Sequence, residues 1–242
     1  MTHFVLVHGA FHNAQCWDKV VDALHAAGHS ASAIDLPSHG KDTTPIETVT
    51  LEAYANRVVD ELGKSSEPAV LVGHSMGGVV ITQAADLFLA GGGALKQLVY
   101  VAAFVPRDGQ SLMELAGSPE GAGDMVQANV VVDGEPPIGT MPADKAREAF
   151  YADCDDETSA EAIAALDPQP ILAFVAPVSI ENDRDIDRRY VLTTEDKAIP
   201  PALQKKMSQD TAFAEVVEMD TSHSPFLSQP DKLAAQLIAF AS

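Results

Sequence analysis

Residues 69–93 limit the fold more than any other stretch. The apolar run Ala69-Val70-Leu71-Val72 has the length and character of a buried strand, and it passes through Gly73-His74-Ser75-Met76-Gly77 directly into a helical pattern that Gly91-Gly92-Gly93 ends. A strand that turns at once into a helix needs a sharp, strained corner, and glycines around the corner remove the Cβ atoms that would collide there. The residue at the apex is Ser75, lifted above the end of a sheet and beside a helix N-terminus, where developing negative charge is favoured. Ser75 is therefore the candidate nucleophile.

The same rhythm recurs along the chain. A strand at 4–7 precedes a helix with Trp17, Val20, Val21 and Leu24 on one face, which Gly28 ends. A second strand at 31–36 runs into the turn Pro37-Ser38-His39-Gly40, a helix follows at 51–62, and a fourth strand occupies 98–105. The alternation stops at 107–186 and resumes with a strand at 190–192, a helix at 201–208, a strand at 215–219 and a closing helix at 230–240. Alternating β and α segments imply a parallel sheet with helices on both faces. The expectation is one α/β domain with a mainly parallel six-stranded sheet. Its core spans 1–106 and 187–242, and a helical cap is inserted at about 107–186. Amphipathic pieces at 111–115, 145–154 and 158–166 build the cap, with Thr158-x-x-Glu161 as a capping box for the last.

A serine hydroxyl is a weak nucleophile and needs a base within hydrogen-bond reach. Of eight histidines, His223 sits best, in a loop between the last strand and the final helix, because catalytic groups of such sheets gather at the C-terminal ends of strands. His25 and His29 are separated by Gly28. His8 and His12 lie in the turn after the first strand with structural or substrate-facing roles, while His39 and His74 read as structural. The base needs a carboxylate to hold its tautomer. Asp196 follows the 190–192 strand directly; Glu195 and Asp220 are its competitors. The turn His8-Gly9-Ala10-Phe11 is placed to supply one backbone N–H to an oxyanion, assigned to Ala10 although its neighbours are not separated from it by sequence, and Met76 supplies the other.

Four blocks carry a resemblance: Phe4-Val5-Leu6-Val7-His8-Gly9-Ala10-Phe11-His12 with Trp17; Asp35-Leu36-Pro37-Ser38-His39-Gly40; Gly73-His74-Ser75-Met76-Gly77-Gly78; and Thr194-Glu195-Asp196-Lys197-Ala198-Ile199-Pro200 with Ser222-His223-Ser224-Pro225. With these the chain resembles the methylesterase and hydroxynitrile-lyase family of α/β-hydrolases, over roughly two thirds of its length and only loosely in the cap. The resemblance implies an α/β-hydrolase fold and the chain order Ser75, Asp196, His223. It also implies that lyases of the group carry a lysine after the histidine and a threonine before the oxyanion residue. Ser224 and Gly9 occupy those positions here, which favours ester hydrolysis. An aspartate nucleophile, as in dehalogenases and epoxide hydrolases, is disfavoured by Ser75.

The expected activity is hydrolysis of a small, largely apolar carboxylic ester through an acyl-enzyme, with no metal or organic cofactor. A lactonase or amidase, a C–C lyase and a ligand sensor without turnover are the rivals. Leu112, Met113, Met125, Phe150 and Phe174 are candidates to line an apolar pocket. The formal net charge of −20 makes nucleic acid and anionic membranes poor partners. About half of the acids lie in the insertion, 18 of 35 between Arg107 and Asp187, as a solvated face or a charge-selective entrance. No 18-residue stretch is free of strongly polar groups, so no membrane span is expected. No basic segment followed by a long apolar run opens the sequence, and the two cysteines form no disulfide framework, with Cys16 read as a small buried residue. A cytoplasmic protein is expected, and a homodimer is left open.

Overall fold

The computed structural model describes residues 1–182 and 186–242; residues 183–185, including Arg184 of the expected insertion, lie outside the described residues. The chain enters the sheet with β1 (His3–Val7), in which Phe4 to Val7 are all fully buried. It continues through α1 (Asp18–Ala26), β2 (Ser30–Ile34), α2 (Leu51–Leu62), β3 (Ala69–His74), α3 (Gly77–Ala90) and β4 (Leu95–Val101). Gly28, at φ +83°, takes the left-handed conformation that ends α1. Thr50 caps α2 by accepting a hydrogen bond from the Ala53 N–H.

Beyond β4 the chain leaves the sheet and forms α4 (Leu112–Ala116), α5 (Met125–Asn129), β5 (Val131–Asp133), β6 (Ile138–Thr140), α6 (Ala143–Phe150), α7 (Asp156–Ala164), β7 (Gln169–Pro170) and α8 (Leu172–Val175). It then returns as β8 (Arg188–Thr193), α9 (Pro201–Asp210), β9 (Glu215–Met219), α10 (Pro225–Ser228) and α11 (Pro230–Phe240).

The six long strands lie in the order β2-β1-β3-β4-β8-β9, with every neighbouring pair parallel. Both faces are covered at the centre, so β1 and β3 read as continuous apolar runs rather than alternations, while the edge strands β2 and β9 carry polar residues. On one face Val5, Val7, Leu71, Tyr100 and Leu192 pack with side chains of α2, α3 and α9. On the other Phe4, Leu6, Val70, Val72, Val99 and Val101 pack with Val20 and Leu24 of α1 and Leu233, Leu237 and Phe240 of α11.

The sheet grows outward in both directions from β1 and β3. The loops leaving their C-terminal ends therefore diverge, which opens a crevice at this switch in strand order. The turn after β1 and the β3–α3 corner form its two lips. A third apolar cluster, Phe11, Ala146, Ala149, Phe150, Tyr151, Cys154 and Ala198, fastens the inserted segment over the crevice.

The insertion departs from the expectation in three places. It contains a three-stranded antiparallel sheet, β5-β6-β7, besides its helices. Helix α7 starts at Asp156 and is capped by Asp155, whose carboxylate accepts from Thr158 N–H at 2.7 Å, so Thr158 lies inside the helix and makes no capping box. The capping box sits on α4 instead: Ser111 Oγ accepts from Glu114 N–H (3.2 Å), while Glu114 Oε2 accepts from Ser111 N–H (2.8 Å). Cys16 is half-buried rather than buried. Among the described residues no helix is long and apolar enough to cross a membrane.

Candidate active site

Ser75 takes φ +55°, the left-handed region that costs a residue with a Cβ on the order of 1 kcal/mol. Its backbone is held there from both sides. The Ser75 N–H donates to Val101 O (3.3 Å), and its carbonyl accepts from Gly78 N–H (3.0 Å) and Phe104 N–H (3.1 Å). The turn is so tight that a Cβ on Gly73 would lie 2.5 Å from the carbonyl oxygen of Gly77, which only glycine avoids. On the opposite lip a Cβ on Gly9 would lie 2.7 Å from the Cβ of Ser75, so the first loop can approach the serine closely only with glycine there.

His223 and Asp196 meet across the ends of β8 and β9. His223 Nδ1 lies 2.8 Å from Asp196 Oδ2, and both side chains are almost fully buried. The carboxylate accepts four further hydrogen bonds: Ala198 N–H and Ile199 N–H on Oδ1, Thr193 Oγ1–H and Gln204 Nε2–H on Oδ2, all at 2.8–2.9 Å. A group so surrounded by donors is a carboxylate, so the His223 proton resides on Nδ1 and the lone pair on Nε2 is left for base chemistry. The competitors for the acid are placed elsewhere. Glu195 is exposed, and exposed Asp220 accepts from Thr194 Oγ1 (3.0 Å). Among the described residues, the side-chain hydrogen bond of His223 goes to Asp196 and none joins it to Ser75.

Behind the base stands His74. Its Nε2–H donates to the His223 carbonyl at 2.8 Å, and the two rings lie 4.5 Å apart at centroid. Burial, and next the nearby His223, hold His74 well below the usual imidazole range, so it stays neutral and adds no charge beside the base. The role of His74 as a backbone buttress was not legible in the sequence, where it reads only as a packed residue of the corner. Gln204, on α9, was missed altogether: eight residues beyond Asp196, it has no local signature. His8, His12 and His39 are engaged elsewhere in the fold. His8 accepts from Leu36 N–H on Nε2 (3.1 Å), His12 lies between Ala10 O (2.8 Å) and Tyr151 Oη (2.8 Å), and His39 reaches Gln169 Oε1 (3.2 Å).

Ser75, Ala10 and Met76 share one cavity, about 790 Å³ including its mouth, walled by Phe11, Phe104, Leu112, Phe150, Ile171 and Phe174. Met113 stands at the rim, 39% exposed. Of the expected lining residues, Met125 is the exception. It packs in the cluster under α6 and α7, and its N–H is taken by Lys197 O at 2.9 Å. Asp124 and Gln127 bring polar atoms to the wall, and burial raises the Asp124 carboxyl above its usual range. In the first loop the Phe11 N–H is engaged by Gln169 Oε1 (3.2 Å), which separates Phe11 from Ala10 as an oxyanion donor. Among the described residues no group of three or more His, Cys, Asp or Glu is placed to hold a metal ion.

Comparison with known proteins agrees with the fold. A family model described as "Alpha/beta hydrolase family" matches residues 4–236. Methylesterase 7 of Arabidopsis thaliana is 31% identical, over 98% of this chain and 95% of its own. An alpha-hydroxynitrile lyase of the same plant is 32% identical, over 99% of this chain and 97% of its own. The crystal structure of a pyrethroid hydrolase from Sphingobium faniae superposes with a TM-score of 0.89 at 27% identity, covering 99% of this chain and 97% of that one.

Proposed function

The chain belongs to the alpha/beta hydrolase family, with methylesterase-like relatives along its whole length, and on that premise we propose that it hydrolyses small, largely apolar carboxylic esters with Ser75 as nucleophile. His223 Nε2 takes the Ser75 proton as Oγ attacks the ester carbonyl carbon. The tetrahedral oxyanion is held by the Ala10 and Met76 N–H groups, and the α3 N-terminus adds its positive end. Collapse breaks the bond to the alcohol, which leaves with the proton from His223. The acyl-enzyme is then attacked by water that His223 deprotonates, which releases the acid and restores Ser75.

The observation that carries this reading is the His223–Asp196 hydrogen bond of 2.8 Å beside a serine held in a strained turn on the floor of an apolar cavity. Ser75 is part of the cavity lining. Because the cavity walls are largely hydrocarbon and carry no Lys, Arg or His, they bind acyl and alkoxy groups by burial and give an anionic substrate no counter-ion. The lyase relative gives a second reading its basis. Against that reading stand Ser224, where lyases of the group carry lysine, and Gly9, where the approach of Ser75 leaves no room for threonine.

The test is turnover of p-nitrophenyl acetate and butyrate by the wild type and Ser75→Ala. A loss of up to about 10⁶ in turnover, with the circular dichroism unchanged, is expected. Equal rates in both proteins would overturn the serine mechanism. Release of cyanide from a cyanohydrin without ester turnover would give the lyase reading the place, and tight binding of an ester without product would give it to a sensor.

A further inference from the structure

The loop after β1 has no ladder of its own, yet Phe11 is held at φ +65°, a conformation that costs a residue with a side chain. Two residues of the insertion, far away in sequence, hold it. The Phe11 N–H donates to Gln169 Oε1 (3.2 Å), and the Phe11 carbonyl accepts from Asp167 N–H (2.7 Å). Gln169 is fully buried and its amide is fully engaged: Oε1 also lies 3.2 Å from His39 Nε2, and Nε2 donates to Tyr54 Oη and Pro170 O, both at 3.1 Å. The amide can face only one way. A backbone N–H on one side demands the oxygen, and a backbone carbonyl on the other demands the nitrogen. Asp167 anchors the same segment, accepting from Gly40 N–H (2.8 Å) and Asn13 Nδ2 (3.0 Å).

A side chain that served packing alone at this point would be apolar, since a buried amide is costly unless every hydrogen bond is made. Here every bond is made, and one of them goes to the residue beside Ala10. We propose that Gln169 is a positioning residue for ester hydrolysis. By taking the Phe11 N–H it fixes the peptide between Ala10 and Phe11 and leaves the Ala10 N–H as the single donor of this lip toward the oxyanion. The inference rests on the function proposed above and on the Ala10 assignment.

Steady-state kinetics with p-nitrophenyl butyrate on Gln169→Met, Gln169→Asn and Tyr54→Phe test it. Both Gln169 variants are expected to lose about 10- to 100-fold in kcat, short of the 10²–10³ for removal of a whole donor, with KM within about threefold. Their affinity for an alkyl boronic acid, a tetrahedral mimic, falls by the same factor, while affinity for butyrate holds. Tyr54→Phe removes only a partner on the far side of the amide and keeps kcat within about twofold. Folded Gln169 variants with wild-type kcat, or a loss confined to KM, would overturn the proposal. If Gln169→Met does not fold, Gln169→Asn, which withdraws the acceptor by one carbon, carries the test.

If neither folds, amide resonances of the wild type decide. Binding of the boronic acid should shift Ala10 and Met76 and leave Phe11 in place; a Phe11 shift as large as that of Ala10 would overturn the proposal. Absence of wild-type turnover, or full turnover in Ser75→Ala, would instead refute the function it rests on.

Discussion

A side chain that accepts five hydrogen bonds and donates none has to be a carboxylate, and Asp196 is in that position, with three donors on Oδ2 and two on Oδ1. Replacing it by asparagine sets an NH₂ group against other donors whichever way it turns. Asp196→Asn should therefore lower kcat by a factor near 10⁴, as the analogous change does in a triad protease, and should also lower the melting temperature. Glu195→Gln, one residue away and exposed, should keep turnover within about twofold. Kinetics and thermal unfolding on the pair decide the acid: a large loss in Glu195→Gln with little in Asp196→Asn would reverse the assignment. His74 and Gln204 stand one step behind these groups, the first donating to the His223 carbonyl and the second to Asp196 Oδ2.

Helix α4 forms one wall of the cavity with Leu112 and Ala116, and it is only five residues long, so its capping box contributes much of its stability. Ser111→Ala should destabilise the protein by about 1 kcal/mol, or roughly 2–4 °C in melting temperature for a domain of this size. Thr158→Ala, inside α7, should change it far less; calorimetry showing the reverse order would restore the cap to Thr158. The long periodic elements were legible in the sequence, with α2, α3, β9 and α11 found at the bounds expected for them. So were the positions of Ser75, Asp196 and His223, because each lies within four residues of the C-terminal end of a strand, at β3, β8 and β9.

The insertion was less legible for physical reasons. Strands of two or three residues, such as β5, β6 and β7, carry no measurable period, and β5 is exposed throughout. Asp155 and Thr158 are both acceptable N-caps three residues apart, and Asp156 and Glu157 favour the earlier start by placing negative charge in the first turn. The same arrangement accounts for part of the acid clustering as solvated helix ends. The parts played by Gln169 and Gln204 depend on partners brought near only by the tertiary fold.

For the molecule as a whole, the buried imidazoles set the response to acid. Burial holds His12 at about 4, and His8, His74 and His39 are all shifted downward, with burial the largest cause in each. A base with a folded pKa below its unfolded value binds fewer protons when folded, so stability is full above the unfolded value of about 6.5 and drains away as pH falls toward the folded one. His12 alone should cost about 2 kcal/mol by pH 5. Relief of the chain's negative charge acts in the opposite sense but is shared among exposed groups. Urea midpoints should therefore be lower at pH 5 than at pH 7.5, and an equal or higher midpoint at pH 5 would count against the neutral, buried state of these rings.

The hydrogen bond between Phe11 and Gln169 has a consequence for a chain that emerges from the ribosome one residue at a time. The first loop leaves the exit tunnel early, but its conformation waits for a residue 158 positions later, and the base follows later still. A product halted after β4 would carry the nucleophile and its sheet neighbours without the acid, the base or the glutamine that sets the opposite lip. A copy halted anywhere before residue 223 lacks the proposed base, so it should be inert toward esters that the complete chain cleaves by this mechanism.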